Sequence, residues 1–297
     1  MTPQYTLLPH RALIAVRGDD RVAFLQSLVS NDMAKVQAGA AVWAALLTPQ
    51  GKFLHEFFAV LHHDAILLEC ERARRDDLVT RLSRYKLRAK VSLAADDTLT
   101  PGVAWGEGAS AALETSDAPG HVKEHGAGVL ATDPRLKDAG VRFALSPEQI
   151  SQLSKLGLAA ATPETYDTFR IALGLPDGSR DLEIDKALLL ENGFEELNGV
   201  DFQKGCYIGQ ELTARTHYRA LIKKRLMPMM AEGPAPAPGT PLTTDDGLEA
   251  GEMKSAVGNT GLALVRLDKM TGALHAGTTR MTAHPPAWMK LDKVSGN

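Results

Sequence analysis

Apolar and polar positions along the first hundred residues form short runs that predict strands. The runs are bounded by glycine, proline or charged residues, as strands commonly are. Pro49-Gln50-Gly51 marks a turn between the second and third runs. The predicted strands cover 13–16, 43–47, 53–61, 66–68 and 91–93.

Two helices are predicted among these strands. Asp19 or Asp20 is expected to cap the first helix, whose apolar residues start at Val22 and recur at helical spacing. The second helix lies within 72–90 and presents a basic outer face. Its inward side chains are predicted to be Leu78, Leu82 and Tyr85.

Helix signals continue in the second half of the chain. Ser146-Pro147-Glu148-Gln149 combines a capping box with proline at the first helical position. Thr162-Pro163 begins a further helix, which Gly174 and Pro176 end. The small-residue segment 107–128 is interpreted as a connection without regular structure. Because strands and helices alternate without a βαβ rhythm, the predicted fold class is α+β.

The character of the sequence changes after residue 225. Prolines become frequent between 234 and 241, and short β-type runs follow, separated by glycines. This pattern is typical of a small all-β unit, which we expect to be a barrel. The sequence therefore predicts two domains, 1–225 and 226–297.

The composition is that of a globular protein. The chain has 297 residues, 44% of them hydrophobic, and a net charge of −3, so it can bury a sizeable core. No apolar run is long enough to cross a bilayer, and residues 1–8 lack the features of a signal peptide. We therefore expect a cytoplasmic protein without a membrane partner.

Positive charge is concentrated in two segments. The first basic segment, 72–90, has eight basic residues against two aspartates, and the second basic segment, 204–225, has six against one glutamate. Two basic segments in an otherwise acidic chain favour a local anionic ligand, although two solvated faces would give the same pattern.

The cysteine count limits what the chain can do with metals. Cys70 and Cys206 are far apart in sequence and fit reduced thiols. A typical iron–sulfur cluster needs four thiolates, so any role with clusters must be indirect or shared with a partner. The nine histidines show no convincing metal-ligand spacing, and His62-His63 is interpreted as a surface turn.

One segment stands out from the rest, Lys204-Gly205-Cys206-Tyr207-Ile208-Gly209-Gln210-Glu211. Its two glycines predict a sharp turn or a close approach of backbone to another group. Lys204 and a helix predicted to start at Gln210-Glu211 would both favour the thiolate of Cys206. The alternative is a tight loop in which Cys206 is small, buried filler.

This segment, continued by Ala214-Arg215-Thr216 and Lys223-Lys224-Arg225, resembles the signature of the YgfZ family. These are folate-binding relatives of the glycine-cleavage T-protein, in the lineage of an iron–sulfur assembly factor. Ser30-Asn31-Asp32, Pro49-Gln50-Gly51-Lys52 and Asp133-Pro134-Arg135 resemble further family motifs. The resemblance implies a three-lobed T-protein-like α+β domain around a folate channel, followed by a β-barrel.

The resemblance also implies the residues of a site for tetrahydrofolate or a one-carbon derivative. Tyr166 and Arg170 lie on one face of the helix that starts at Pro163, where a ring and a guanidinium would suit a pterin, although Tyr166 alone could equally be a core residue. Arg11 stands where other members carry an aromatic. The remaining predicted folate-binding residues are Lys204, Gly205, Tyr207, Gly209, Gln210, Glu211 and Arg215.

A folate bound there could be polyglutamylated, and its carboxylates would need cations. Arg215, Arg219, Lys223 and Lys224 adjoin the signature in sequence and are the candidates. The same residues could instead bind the phosphates of tRNA.

Catalysis is less clearly indicated. The transferase relatives carry an aspartate pair, and this chain has His55-Glu56 at or near that place and Ala172 where they carry a glutamate. Glu56 is a weak candidate for an acid or base and Cys206 a candidate reactive thiol. These departures argue against ordinary aminomethyl transfer, and no nucleotide-binding loop or serine-hydrolase elbow is present.

Three functions follow as hypotheses. The first is a tetrahydrofolate-binding accessory protein for the assembly or repair of iron–sulfur enzymes, with assembly proteins or client enzymes as partners. The second is a folate-dependent one-carbon transferase, and the third is a tRNA-modification protein that uses folate.

Overall fold

Strands and helices follow the apolar runs of the sequence closely in the computed structural model, which describes residues 2–219, 222–270 and 272–291. The strands, in chain order, are β1 Gln4–Leu7, β2 Arg11–Arg17, β3 Val42–Leu47, β4 Phe53–His62, β5 Ala65–Glu71, β6 Ser92–Asp96, β7 Thr100–Trp105, β8 Val122–His125, β9 Gly128–Thr132, β10 Val141–Leu145, β11 Ala159–Ala160, β12 Lys224–Ala231, β13 Pro241–Thr244, β14 Glu249–Val257, β15 Thr260–Arg266, β16 Leu274–Ala276 and β17 Thr279–Ala283.

Helices are short and lie between the strands. The α-helices are α1 Arg21–Gln26, α2 Met33–Gln37, α3 Arg75–Ser83, α4 Ala109–Ala112, α5 Pro147–Ile150, α6 Pro163–Ala172 and α7 Gln210–Tyr218. Short 3₁₀ turns occupy Arg72–Arg74, Lys137–Ala139, Leu153–Leu156, Gly178–Arg180, Leu190–Asn192 and Leu267–Lys269. No helix of the described residues is long and apolar enough to span a bilayer.

The chain folds into two compact units that each combine distant segments. The first unit comprises the described residues of 1–47, 54–163 and 197–208, and the second those of 48–53, 164–196 and 209–297. The first contains a six-stranded sheet in the order β11-β1-β7-β10-β9-β8 and a five-stranded sheet in the order β3-β4-β5-β2-β6. The predicted boundary between 225 and 226 stays a prediction.

Apolar side chains join the two sheets of the first unit. Leu13 and Leu67 of the five-stranded sheet pack in one cluster with Val129 and Ala144 of the six-stranded sheet. Alternate residues of β2 and β5 point the other way and pack against α1, α2 and α3, as the two-residue period of a strand requires. Strands β2 and β5 are therefore buried on both faces.

The second unit contains a closed barrel in the order β12-β15-β14-β13-β16-β17. Its interior is rich in methionine, with Met227, Met229, Met253 and Met281 all buried. Flexible methionine side chains fill an irregular core well. The expected α+β fold with a barrel near its end is confirmed.

Several local expectations need correction. Tyr85 is 42% exposed instead of inward, because α3 ends at Ser83. The segment 107–128 is not wholly irregular, since it contains α4 and β8. Asp20 occupies the N-cap of α1 without capping it through its side chain. Its carboxylate instead accepts a hydrogen bond from the backbone of Lys90 at 2.7 Å.

Candidate functional site

The signature segment turns sharply, as its glycines predict. Gly205 and Gly209 have φ of +89° and +79°, a left-handed conformation that glycine adopts at little cost. Gly209 is the N-cap of α7, which starts at Gln210, so the expected helix start is confirmed. Residues 204–208 belong to the first unit and residues 209–211 to the second.

Lys204 fixes this segment to the first unit. Its Nζ donates to the carbonyl oxygens of Val29 at 2.5 Å and Asn31 at 2.7 Å. Burial lowers the pKa of Lys204 to about 8, although Asp32 and Asp201 act in the opposite direction. Lys204 was expected to bind folate and to favour the thiolate of Cys206. Its ammonium is directed to backbone carbonyls in this structure, and its predicted contact with folate stays a prediction.

The motif Ser30-Asn31-Asp32 completes this attachment. Ser30 donates to the carbonyl of Gly199 at 2.6 Å, and the side-chain amide of Asn31 donates to the carbonyls of Trp43 and Asn198 at 2.8 and 2.7 Å. Buried backbone carbonyls need such partners. Two motifs that are far apart in sequence therefore form one hydrogen-bonded structure beside the cysteine.

The two cysteines lie in opposite environments. Cys206 is exposed and free, whereas Cys70, on β5, is free and buried. Burial raises the pKa of the Cys70 thiol to about 12, so this thiol is unreactive at neutral pH. Among the described residues, Cys206 is thus the thiol that can meet another molecule.

The other signature residues are divided between the units. Tyr207 is half-buried, and its ring centroid lies 5.2 Å from Lys204 Nζ. Gln210 and Glu211 form the first turn of α7, and Arg215 lies exposed in its last turn. The structure thus places Tyr207 beside Lys204 in the first unit and the helical residues in the second.

Arg170 has its donors engaged within the second unit. Its guanidinium donates to Asp167 at 2.5 Å, Asp181 at 2.7 Å, the carbonyl of Leu175 at 3.0 Å and Ser255 at 3.2 Å. Burial lowers the pKa of Arg170, but three nearby aspartates raise it by a larger amount. The net shift is upward, so Arg170 stays charged. The contact of Arg170 with a pterin stays a prediction, and it would have to use the face of the guanidinium, because these donors already have partners.

Tyr166 lies on the same helix, α6, and is also buried in the second unit. Its ring centroid lies 6.2 Å from that of Phe169. Burial at this level is what a core aromatic shows, so the contact with folate remains a prediction for Tyr166.

Glu56 and His55 are likewise occupied by neighbouring side chains of the first unit. Glu56 pairs with Arg11 and accepts a hydrogen bond from Trp43 Nε1 at 2.6 Å. His55 lies 2.8 Å from Asp77, and burial followed by Arg74 lowers the pKa of His55 to about 4. Glu56 is therefore held as an ion-paired carboxylate, which is a poor arrangement for an acid or base that must exchange a proton.

Arg11 and Glu56 belong to a buried network of alternating charges, the ion network. Arg11 also contacts Glu69 at 3.1 Å. Arg142 pairs with Glu69 and lies 3.5 Å from Asp133, which Arg135 contacts at 2.8 Å. The members of the ion network are Arg11, Glu56, Glu69, Asp133, Arg135 and Arg142.

Electrostatic pairing keeps these carboxylates charged. Burial raises the pKa of Glu69, but Arg142 and Arg11 lower it more, so the net shift is downward. Burial likewise raises the pKa of Asp133, and Arg135 with Arg142 reverses this effect. Buried charges are tolerated when they are paired and hydrogen-bonded in this way.

The ion network surrounds one aromatic ring. The guanidinium of Arg142 lies 3.8 Å from the centroid of Phe58, that of Arg135 4.9 Å and that of Arg11 5.6 Å. Arginine over an aromatic face is a favourable cation–π contact. The ring and the guanidinium of Arg142 therefore form a flat, polarisable surface inside the first unit.

This surface lines a narrow cleft between the two sheets of the first unit, with a volume of about 30 Å³. Phe58, Glu69 and Arg142 meet apolar side chains there. Among these apolar residues are Leu67, Val129 and Phe143. A concave, mostly apolar cleft with a few charged groups is the usual form of a small-molecule site.

The basic segments are less uniform than their sequence indicates. In the first, Arg74, Arg75 and Arg81 pair with carboxylates, whereas residues 84–88 are exposed. In the second, Arg225 is buried and donates to the carbonyl of Leu190 at 2.9 Å and to Glu196 at 2.7 Å. Arg225 therefore does not belong to a surface cluster, while Arg215, Arg219 and Lys223 are exposed.

Sequence reasoning missed Phe58 and Glu69 as cleft residues. A carboxylate inside the apolar run Ile66-Leu67-Leu68-Glu69-Cys70 was the available signal, because such a charge must find a partner when the strand is buried. The partners, Arg11 and Arg142, are too distant in sequence for any local pattern to identify them.

Comparisons with known proteins agree with this architecture. Residues 223–291 match the family model described as CAF17, C-terminal beta-barrel domain. The crystal structure of the glycine cleavage system aminomethyltransferase T from Bartonella henselae has a TM-score of 0.77 over 97% of this chain and 86% of that one, at 13% sequence identity. The fold is therefore T-protein-like.

Relatives of known name are much closer in sequence. The mitochondrial iron–sulfur cluster assembly factor IBA57 of Mus musculus is 34% identical over 95% of this chain and 84% of its own length. Its Homo sapiens counterpart is 33% identical with the same coverage, and a mitochondrial homolog from Coccidioides immitis is 30% identical over 95% and 82%.

These relatives refine the family suggested by the signature. Their names specify IBA57, so the more particular resemblance to YgfZ remains a prediction. Their names also place those proteins in mitochondria, which leaves the expected cytoplasmic location of this chain untested. Identity above 30% across nearly the whole length decides the family: the chain belongs to the IBA57 family of iron–sulfur cluster assembly factors.

Proposed function

We propose that this chain is a tetrahydrofolate-binding accessory protein that supports the assembly or repair of iron–sulfur enzymes. The observation that carries the proposal is the exposed thiol of Cys206, which lies in a segment fixed by Lys204. Relatives named as iron–sulfur cluster assembly factors support the cellular role.

Cluster chemistry limits the form that this role can take. Cys70 is buried and its pKa is raised, so the chain offers one accessible thiolate where a typical cluster takes four. Cys206 would therefore either supply one ligand to a cluster held jointly with a partner or contact that partner directly. Assembly proteins and client iron–sulfur enzymes are the partners that this chemistry fits.

Complementation tests the role of the thiol. Cys206→Ser keeps the size of the side chain but removes the thiolate, so we expect a folded protein that fails to restore iron–sulfur enzyme activity in cells lacking the native protein. Cys70→Ser, at the buried cysteine, is the matched control and should restore it. Full rescue by Cys206→Ser would remove the thiol from the proposal.

Folate binding is proposed for the cleft of the first unit. The cleft has a volume of about 30 Å³, well below the roughly 300–1,000 Å³ usual for small-molecule sites, so the two sheets would have to move apart to admit a folate. A pterin is flat, and the surface formed by Phe58 and Arg142 could stack against it. Arg142 would act through the face of its guanidinium, because its donors, like those of Arg170, already have partners.

Calorimetry with tetrahydrofolate tests this assignment. Ala131→Leu, which lengthens a side chain lining the cleft, should weaken binding about tenfold or more. Ala111→Leu, at an exposed position of α4, should leave it unchanged. Tyr166→Ala tests the other predicted contact, since losing a stacked ring costs about 1–3 kcal/mol. A wild-type protein that does not bind tetrahydrofolate would end the folate proposal and leave the iron–sulfur role standing.

The other hypotheses become outcomes of further measurements. Turnover of a folate adduct at about 1 per second or faster would favour a one-carbon transferase. If Arg215 and Lys223 bind a polyglutamate tail, replacing both with Gln should weaken the binding of polyglutamylated folate more than the binding of the monoglutamate. A steep salt dependence of tRNA binding at these residues would favour the tRNA function.

A further inference from the structure

Two histidines and a glutamate converge at the edge of the first unit, away from Cys206 in sequence. His62 ends β4, His63 follows in the turn to β5, and Glu124 lies on β8. One ligand atom from each lies within 4.8 Å of the others. The rings of His62 and His63 have centroids 4.0 Å apart. His62 is buried, whereas His63 and Glu124 are exposed, so the cluster opens to solvent.

The hydrogen bonds of His62 define which nitrogen faces the cluster. Its Nε2 lies 3.1 Å from the carbonyl oxygen of Ala127, which can only accept. Glu124 is also an acceptor, so a neutral ring can donate to only one of the two partners, and the tautomer with its proton on Nε2 keeps the bond to Ala127. The lone pair of Nδ1 then points at the carboxylate of Glu124, whose Oε2 is 2.9 Å away.

In that tautomer two lone pairs face each other, and a cation between Nδ1, the carboxylate and His63 would remove their repulsion. A histidine that donates one ring N–H to a backbone carbonyl while its other nitrogen is free is the usual arrangement of a metal ligand. We propose that His62, His63 and Glu124 bind one divalent first-row transition ion.

The donor set defines the class of ion. Imidazole suits Zn²⁺, Fe²⁺, Ni²⁺ and Cu²⁺, and two histidines with one carboxylate form a three-ligand site that keeps a position open for water or another molecule. Calcium and magnesium prefer sites built from oxygen atoms. The site therefore takes a divalent transition ion such as Zn²⁺, with at least one exchangeable ligand.

The geometry needs only a small adjustment. Ligand atoms about 2.1 Å from a tetrahedral zinc ion lie roughly 3.4 Å from one another. His62 Nδ1 and Glu124 Oε2 must separate slightly from 2.9 Å, while the His63 nitrogen must stay close. The buried His62 is held by Ala127, and the two exposed side chains can move. An ion bound here would tie the hairpin of β4 and β5 in one sheet to β8 in the other.

His63 is exposed in the turn after β4, as expected, whereas His62 is buried at the end of that strand; the proposed site would give the pair a role beyond that of a turn. Glu124 is separated from His62 by 62 positions, so no local ligand spacing could reveal the third donor.

Titration calorimetry with Zn²⁺ tests the proposal on the full chain carrying Cys206→Ser, so that the exposed thiol cannot compete. We expect one equivalent of Zn²⁺ to bind. Glu124→Gln and His63→Asn should each weaken binding by at least the roughly 10–100-fold that loss of an outer-shell partner costs. His121→Asn is the matched control, because this exposed histidine precedes β8 and lies outside the cluster.

Two further readouts keep the test decisive. Excess Zn²⁺ should raise the thermal midpoint of the parent and of His121→Asn, but not of Glu124→Gln, and Co²⁺ should give the absorption of a bound ion in the same two proteins. Zinc binding that is absent, or that is equal in all variants, would overturn the site.

Discussion

Lys204 Nζ donates to the carbonyl oxygen of Asn31 at 2.7 Å, across 173 positions of the chain. Burial lowers the pKa of Lys204 to about 8, whereas an unfolded lysine titrates near 10.4. Between these values the unfolded chain binds more protons than the folded one, so this group makes stability rise with pH in that window. Lys204→Met should remove this contribution.

Urea denaturation of both proteins at about pH 7.5 and pH 9.5 measures the effect. As the pH rises, the free energy of unfolding of the wild type should increase relative to that of Lys204→Met. Other titrating groups are common to both proteins and cancel in the difference. A constant difference would mean that the ammonium of Lys204 is solvated and that its contacts with Val29 and Asn31 are weak.

Alkylation should distinguish the two cysteines. Cys206 is exposed, whereas Cys70 is 1% exposed and its thiol has a pKa of about 12. Because the thiolate is the reactive form, iodoacetamide near neutral pH should label Cys206 in the folded protein and Cys70 only after denaturation. Mass spectrometry of timed digests measures both rates. Equal labelling of the two residues would show that the core around β5 opens readily.

Acid should destabilise the protein partly through His55. Burial and Arg74 lower the pKa of His55 to about 4, and the unfolded value is about 6.5. The unfolded chain therefore binds the extra proton first, and stability is lost as the pH falls from about 6.5 towards 4. His55→Gln should lose less stability than the wild type between about pH 7 and pH 5. Parallel losses in the two proteins would contradict the burial of a neutral imidazole.

Arg170 is expected to matter for stability even in the absence of any ligand. Arg170→Gln would leave the buried Asp181 without its ion pair, and breaking a buried pair in this way costs about 3–5 kcal/mol. Arg180→Gln is the control, because Arg180 is 38% exposed and pairs nearer the surface, where such pairs contribute about 0–1 kcal/mol. Chemical denaturation compares the two. A mild effect at Arg170 would reopen its assignment as a ligand contact.

Gly51 should resist substitution more than glycines of similar backbone conformation. Its φ is +83°, and an added Cβ would lie 2.6 Å from Leu212 Cβ and 2.7 Å from the carbonyl oxygen of Gly209. Gly39 has φ of +92° with no atom within 4 Å of such a Cβ. Gly39→Ala should cost about 1–2 kcal/mol from conformation alone, and Gly51→Ala clearly more. Equal losses would mean that α7 can move away from the turn.

Local patterns predicted the elements well and the pairing of charges poorly. The strand at 13–16, the capping box at Ser146 and the turn around Gly205 could each be predicted, because their causes lie within a few residues. The carboxylate and carbonyl partners of Arg170 and Arg225 are supplied by the fold, so local sequence could not show that Arg170, a predicted ligand contact, or Arg225, counted in the second basic segment, is engaged inside the protein.

The cleft could not be predicted from local sequence patterns either. Its lining runs from Leu13 to Ala144 and joins strands of two sheets, so only the packed structure brings Phe58 and Arg142 together. The prediction that Tyr85 points inward was wrong for a simpler reason. The helical pattern of the first basic segment continues in the sequence past Ser83, where α3 ends.

The ion network also has a consequence for how this sequence can change over generations. Its charges alternate, three positive and three negative among the described residues, and each arginine contacts at least one carboxylate. Removing one member leaves a buried charge unmatched, at about 3–5 kcal/mol, which is a large share of the roughly 5–15 kcal/mol that holds a domain folded. Viable descendants should therefore replace these residues in compensating pairs, and the positions of Arg11 and Glu56, or of Arg135 and Asp133, should co-vary among related chains that keep this core.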